Sequence, residues 1–242
     1  MLKKLVYIIG GDYGYADMFK SRGWEITKDM NIADLVQFTG GEDVNPALYN
    51  EQPHRTTHFN IKRDEKETEL YEKCIRMGIP MAGICRGGQF LNVMNGGSMW
   101  QNVDGHGGKH TANVAGYIGN VLVSSTHHQM MRPSKGNYII LMTAHMSTRK
   151  EYMGDGYVVT RHTGGHNVED DVESVYYPDT HCLCYQPHPE FNNVDECRDV
   201  YFHFIDNYLL SNITLDEATQ RLASTRTQKA HVASIVSDTV PF

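Results

Sequence analysis

No apolar run in the chain approaches the roughly 20 residues of a membrane-spanning helix, and its Lys and Arg residues never gather into a long basic stretch. The first absence argues against a membrane partner. The second, with a formal net charge of −7, argues against nucleic acid, because phosphate binding needs a basic footprint. The 5 cysteines, Cys74, Cys85, Cys182, Cys184 and Cys197, are odd in number and form no Cys-x-x-Cys unit. That excludes a zinc-ribbon pattern and points to a reducing, cytoplasmic setting. The opening Met1-Leu2-Lys3-Lys4 runs straight into a short apolar segment ending at Gly10-Gly11, too short for a secretory signal. No Gly-x-x-x-x-Gly-Lys-Ser/Thr motif occurs, so a nucleotide-binding synthase domain is not expected within these residues. Internal repeats and low-complexity tracts are also absent.

What is present fits one large α/β domain: 242 residues, 40% hydrophobic and 21% charged, enough to bury a sizeable core. Residues 5–10, 25–27 and 35–39 read as buried strands between polar helical segments,. Residues 63–77 read as an exposed helix with Leu70, Cys74 and Met77 toward the core, stopped at Gly78, and residues 79–84 as the next strand,. This alternation predicts a mostly parallel central sheet flanked by helices on both faces. Reactive groups in such sheets gather at the C-terminal strand edges. Residues 120–125, 138–143, 156–160, 173–177 and 182–186 read as successive strands of an antiparallel or mixed extension, and 195–210 as a closing helix. The domain is expected over residues 1–211. Residues 212–242 form a polar tail, either frayed or an arm docking on a partner,.

The chemistry concentrates in residues 80–89, Pro-Met-Ala-Gly-Ile-Cys-Arg-Gly-Gly-Gln. An apolar strand, a sharp turn carrying Cys85 and a helix behind it make a nucleophile elbow, with Gly83 and Gly87 where the turn crowds the backbone. Cys85 falls at the start of that helix, where the partial positive charge favours an anion. Far downstream, His188-Pro189-Glu190 offers an imidazole and a carboxylate two residues apart. Backbone N–H groups of Arg86, after the nucleophile, and Gly41, in the Gly40-Gly41 loop, are the candidate donors to an oxyanion. His106 and His110 sit in a glycine-rich stretch that reads as a surface loop rather than a metal site, and Cys182 and Cys184 read as strand packing.

In this order, the segment from Gly83 to Gln89 and the His188-Pro189-Glu190 segment resemble the motifs of class I glutamine amidotransferases and their gamma-glutamyl hydrolase relatives. Gly40-Gly41-Glu42-Asp43-Val44-Asn45-Pro46 is similar to a loop of the hydrolase branch, Gly96-Gly97-Ser98-Met99-Trp100-Gln101-Asn102-Val103 to the segment after the nucleophile helix, and Ser125-Thr126-His127-His128-Gln129 to the substrate-side loop. The resemblance implies the flavodoxin-like amidotransferase fold and a Cys85–His188–Glu190 triad. It also implies acyl transfer from the γ-carboxamide of glutamine or a gamma-glutamyl amine through a thioester, without a cofactor. It places Gln89 one helical turn past Cys85, toward the substrate amide, with a helix-capping role as the lesser alternative for that side chain. His127, His128 and Gln129 become the loop holding the glutamyl end. Two activities fit: a free-standing hydrolase, or a glutaminase passing ammonia to a separate synthase chain. A silent scaffold on this fold is the third reading. Pro187 departs from the pattern by removing a backbone donor before His188. Residues 109–150 also look short and irregular against the family.

Overall fold

In the computed structural model, residues 3–103, 106–115, 120–134, 136–145, 151–154, 157–160, 171–192 and 194–211 are described, with several positions from 213 to 220. The first half alternates as the sequence predicts. Strand β1 (Leu5–Ile9), helix α1 (Tyr15–Lys20), β2 (Glu25–Thr27), β3 (Leu35–Phe38), α2 (Ile61–Met77), β4 (Met81–Ile84) and α3 (Arg86–Met94) follow one another. The second half is mostly strand: β5 (Ser98–Trp100), β6 (Asn102–Val103), β7 (Gly107–Val114), β8 (Asn120–Thr126), β9 (Met130–Arg132), β10 (Ile139–Ala144), β11 (Glu151–Gly154), β12 (Tyr157–Thr160), β13 (Val172–Tyr177) and β14 (Cys182–Tyr185). Helix α4 (Asp195–Phe204) closes the series and runs into a π-helical turn, Ile205–Leu209.

Nine strands form one sheet in the order β2-β1-β3-β4-β14-β13-β10-β7-β8. From β2 to β14 every pairing is parallel. From β14 onward every pairing is antiparallel. The parallel part has the 2-1-3-4-5 order of flavodoxin-like sheets, with β14 in fifth place. The expected parallel sheet with an antiparallel extension is therefore the observed one.

Alternating side chains divide the core into two layers. Leu35, Ala82, Ile84, Leu183 and Tyr185 pack with Phe19, Trp24, Tyr201 and Phe204 of the α1/α4 face. Val36, Phe38, Met81, Cys182 and Cys184 pack with Tyr71, Cys74, Phe90 and Leu91 of the α2/α3 face. Burial on both faces is why these strands are apolar throughout rather than alternating. Helix α3 carries Gly87 and Gly88, each costing about 0.5–1 kcal/mol relative to alanine. It also buries Phe90, Leu91 and Val93, each contributing roughly 1.5–3 kcal/mol. Packing, not propensity, holds it helical.

Two expectations need correction. Helix α2 is not simply an exposed charged helix: Asp64, Glu67, Tyr71 and Cys74 form its buried stripe. That 3-4-3 spacing continues to Gly78, where φ is 67°. Met77 lies one residue off the stripe and is 41% exposed. Residues 106–110 are not a surface loop. Gly107 starts β7, which pairs with β8 over seven residues, and His106 is buried. Gly107-Gly108 interrupts the apolar alternation, which hides this strand in the sequence; residues 109–114 and 120–126 are a regular ladder rather than irregular. The tail expected from residue 212 lies outside the described residues from 221 on. No helix among the described residues is long and apolar enough to cross a membrane.

Candidate functional site

Strand β4 delivers Cys85 into a turn with φ 51° and ψ −115°, and α3 starts at the next residue. A side-chain-bearing residue held there costs on the order of 1–3 kcal/mol, so the surroundings must impose it. They do so through close backbone contact. A Cβ on Gly83 would stand 2.3 Å from the Gly87 carbonyl, and one on Gly87 would stand 2.3 Å from the Phe38 oxygen. The Cys85 N–H donates to the Tyr185 carbonyl at 2.7 Å, and the Cys85 carbonyl accepts from the Gln89 N–H at 2.9 Å. This is the elbow the sequence predicts.

His188 follows the end of β14. Its N–H donates to Ser124 Oγ at 2.8 Å, and that hydroxyl donates to the His188 carbonyl at 3.1 Å. The segment is thereby locked to β8. His188 Nδ1 and Glu190 Oε1 are 2.6 Å apart, and the Phe191 ring stacks on the imidazole at 4.5 Å with an interplanar angle of 6°. Burial opposes a charge on His188, but the hydrogen bonds and charges of Cys85 and Glu190 outweigh it and raise its pKa to about 10. The C-terminal ends of β3, β4 and β14 converge at Gly40: a Cβ there would lie 3.3 Å from His188 Cε1 and 3.7 Å from Cys85 Cβ. A thiol, an imidazole and a carboxylate in this sequence of contacts have the chemistry to serve as a nucleophile, its base and the group that orients the base.

A buried layer beneath was not foreseen from the sequence. The Arg86 guanidinium, 1% exposed, pairs with both Asp64 and Glu67 of α2. Burial pushes its pKa down to about 10 against those carboxylates, and burial raises that of Asp64. Arg63 donates through Nε to Glu67 Oε1 at 2.8 Å and through Nη2 to the carbonyls of Thr39 at 2.9 Å and Gly40 at 3.0 Å. One turn of α2 thus grips both the residue after Cys85 and the Gly40-Gly41 loop. Tyr15 adds a third hold, its hydroxyl accepting from the Gly40 N–H at 3.0 Å. Burial and the Glu190 charge raise the Tyr15 pKa and keep that phenol protonated. The available signal was the Arg63-Asp64-x-x-Glu67 pattern on the same stripe as Tyr71 and Cys74; dense charge reads as a solvated face instead.

The four substrate-side candidates do not share one environment. Gln89 Nε2 donates to the Gln129 carbonyl at 3.2 Å and to Gln186 Oε1 at 3.1 Å, so its amide joins a buried network rather than capping α3. Gln129 Nε2 donates to Thr57 Oγ1 at 3.2 Å. His127 is buried, its Nδ1 donating to the Gln129 carbonyl at 2.8 Å. His128 is exposed, its Nε2 3.1 Å from Asp43 Oδ1. That hydrogen bond raises its pKa against burial. Among the described residues, the group with metal-ligating composition is His106, His110 and Glu173.

The sequence profile of the peptidase C26 family matches residues 19–190. A Mycobacterium tuberculosis protein named provisionally as glutamine amidotransferase Rv2859c is 32% identical over 174 residues, covering 70% of this chain and 54% of its own length. The match thus spans about half of that relative. Among solved structures, a glutamine amidotransferase of Thermotoga maritima superposes with a TM-score of 0.54 at 14% identity, covering 97% of this chain and 94% of that one. A Thermoplasma acidophilum protein, provisionally named as one of the subunits of GMP synthase, gives the same TM-score of 0.54 at 15% identity, covering 85% of this chain and 94% of that one. At these identities the likeness is one of fold.

Proposed function

Because the chain belongs to the peptidase C26 family, a glutamine amidotransferase-like group, we propose that it is a cysteine-dependent amidohydrolase. Its substrate in this reading is the γ-carboxamide of glutamine or of a gamma-glutamyl amine. The observation that carries the reading is the contact series from Cys85 to His188 to Glu190, with His188 Nδ1 2.6 Å from the Glu190 carboxylate. Cys85 Sγ attacks the amide carbon, its proton having already passed to His188. His188 then returns that proton to the departing nitrogen, and ammonia or an amine leaves. Water attacks the resulting thioester, His188 again accepting the proton, and glutamate is released. Glu190 holds the imidazole in orientation and favours its charged form.

The backbone N–H groups of Arg86 and Gly41 are the proposed oxyanion donors. Support comes from the way both are held: Arg86 through Asp64 and Glu67, and the Gly40-Gly41 loop through Arg63 and Tyr15. Such donors act only when they need not reorganise as charge develops. His128, exposed between the buried His127 and Gln129, is the candidate to meet the glutamyl end.

A second reading, a glutaminase that feeds a separate synthase chain, is favoured by the fold shared with a protein named as part of a synthase. The experiment that separates the two is ammonia and glutamate release from L-glutamine and a panel of gamma-glutamyl amines, with Cys85→Ala as control. Turnover of an amine conjugate that the control loses supports the free-standing hydrolase. Silence on the panel, with Cys85 still alkylated by a glutamine-like electrophile, supports the synthase-dependent glutaminase. Absence of both turnover and alkylation would sink the proposal.

A further inference from the structure

We propose that His106, His110 and Glu173 form a binding site for a divalent ion of the zinc class, separate from Cys85, His188 and Glu190. The three come from the approach to β7, from β7 itself and from β13, and their donor atoms lie within 4.8 Å of one another. Glu173 Oε1 is 3.0 Å from His110 Nε2 and 3.7 Å from His106 Nδ1. Ligands about 2.0–2.1 Å from a tetrahedral ion stand roughly 3.3 Å apart, so the two observed edges straddle the required one. The remaining edge, within 4.8 Å, would have to close by up to about 1.5 Å to admit the ion, which would replace the proton now held between His110 and Glu173.

Three further observations point to a cation. Glu173 is 0% exposed, and its Oε2 has no hydrogen-bond partner. A carboxylate in that position is costly unless it meets a charge. Second, His106 Nε2 lies 3.7 Å from the Asp171 carboxylate. With the metal on Nδ1, Asp171 stands at the opposite ring nitrogen, the outer carboxylate that orients many metal-bound histidines. Third, the His127 ring lies 4.8 Å from that of His106. Its Nδ1 donates to Gln129, which leaves Nε2 a bare lone pair, buried and without a partner. His127 is the fourth donor, or faces the open coordination position.

Two or three imidazoles with one carboxylate suit Zn2+ and its neighbours, whereas Mg2+ and Ca2+ take oxygen sets. Glu173 also ties the site to the proposed active site: its carbonyl accepts from the Gln186 N–H at 2.8 Å, two residues before His188.

The test uses Co2+ as a spectroscopic stand-in for Zn2+ on the full chain, with stoichiometry from equilibrium dialysis and displacement by Zn2+. The expected result is one Co2+ per chain, with the intense visible bands of tetrahedral nitrogen and oxygen ligation and no thiolate charge-transfer band. Cys85→Ser should retain them. His110→Ala and Glu173→Gln should weaken binding by at least about tenfold, with circular dichroism confirming that they fold. Should either variant fail to fold, the wild-type and Cys85→Ser spectra still decide. No bound ion in the wild type, an octahedral spectrum, or loss of the ion in Cys85→Ser would overturn the proposal, the last because the ion would then sit on the nucleophile.

Discussion

Arg63 packs so closely beneath Gly41 that a Cβ on that glycine would stand 2.1 Å from Arg63 Nη1. The glycine also has φ +143°, a conformation side chains rarely adopt,. The loop therefore has two reasons to exclude a side chain, and both bear on the proposed Gly41 donor. Gly41→Ala is expected to lower kcat for ammonia release by about 10²–10³, the usual effect of losing one oxyanion donor. KM should change far less. Steady-state kinetics beside a thermal melt would check this, and an equal rise in KM at constant kcat would assign the loop to ground-state binding instead.

Arg86 and Glu67 form an ion pair with almost no access to water. Coulomb attraction there is offset by desolvation, so the pair adds little net stability, but removing one partner strands a buried charge. Arg86→Met should destabilise the chain by about 3–5 kcal/mol. Adding Asp64→Asn and Glu67→Gln should recover part of that loss. Urea unfolding of the single and triple variants measures both steps, and strict additivity would mean the groups act independently.

Reactivity should distinguish Cys85 from the other four thiols. Burial pushes Cys74 and Cys197 up to about 12 and Cys182 up to about 11, and raises Cys184 well above its ordinary value. All four are 0% exposed, whereas Cys85 is 8% exposed. A brief pulse of a glutamine-like electrophile on the native chain should label Cys85 alone by peptide mass spectrometry. Labelling of Cys182 or Cys184 at a comparable rate would mean the sheet opens there.

Much of this was legible in the sequence because single segments carried it. The Gly83-to-Gln89 elbow and His188-Pro189-Glu190 are contiguous, and their contacts follow from local geometry. The parallel strands showed as apolar runs because both their faces are buried. What escaped depends on contacts distant in sequence. Asp64 and Glu67 look like ordinary helix charges until Arg86 arrives from the next element. His110 looks like a loop histidine until β13 brings Glu173 beside it. Strands β5, β6 and β9 are two or three residues long, below what periodicity can detect.

The charge on His188 should appear in the pH dependence of stability. Its pKa rises from 6.5 to about 10 in the folded chain, so the folded state holds the proton more tightly than the unfolded state. The stabilisation from this proton is complete below about pH 6.5 and is lost as pH climbs through about 10. Plotted against pH, the unfolding free energy of the wild type minus that of His188→Gln should be flat in mild acid and shrink steadily toward alkaline pH. Cys85→Ser removes one of the two groups that raise the value while keeping the Glu190 contact at 2.6 Å. Its decline should therefore start at the same pH, about 6.5, but level off at a lower pH and be smaller in total than that of the wild type. A difference that instead grew with pH would mean that burial, which opposes the charge, outweighs both partners. The resting site would then hold a neutral imidazole, ready to accept the thiol proton only when substrate arrives.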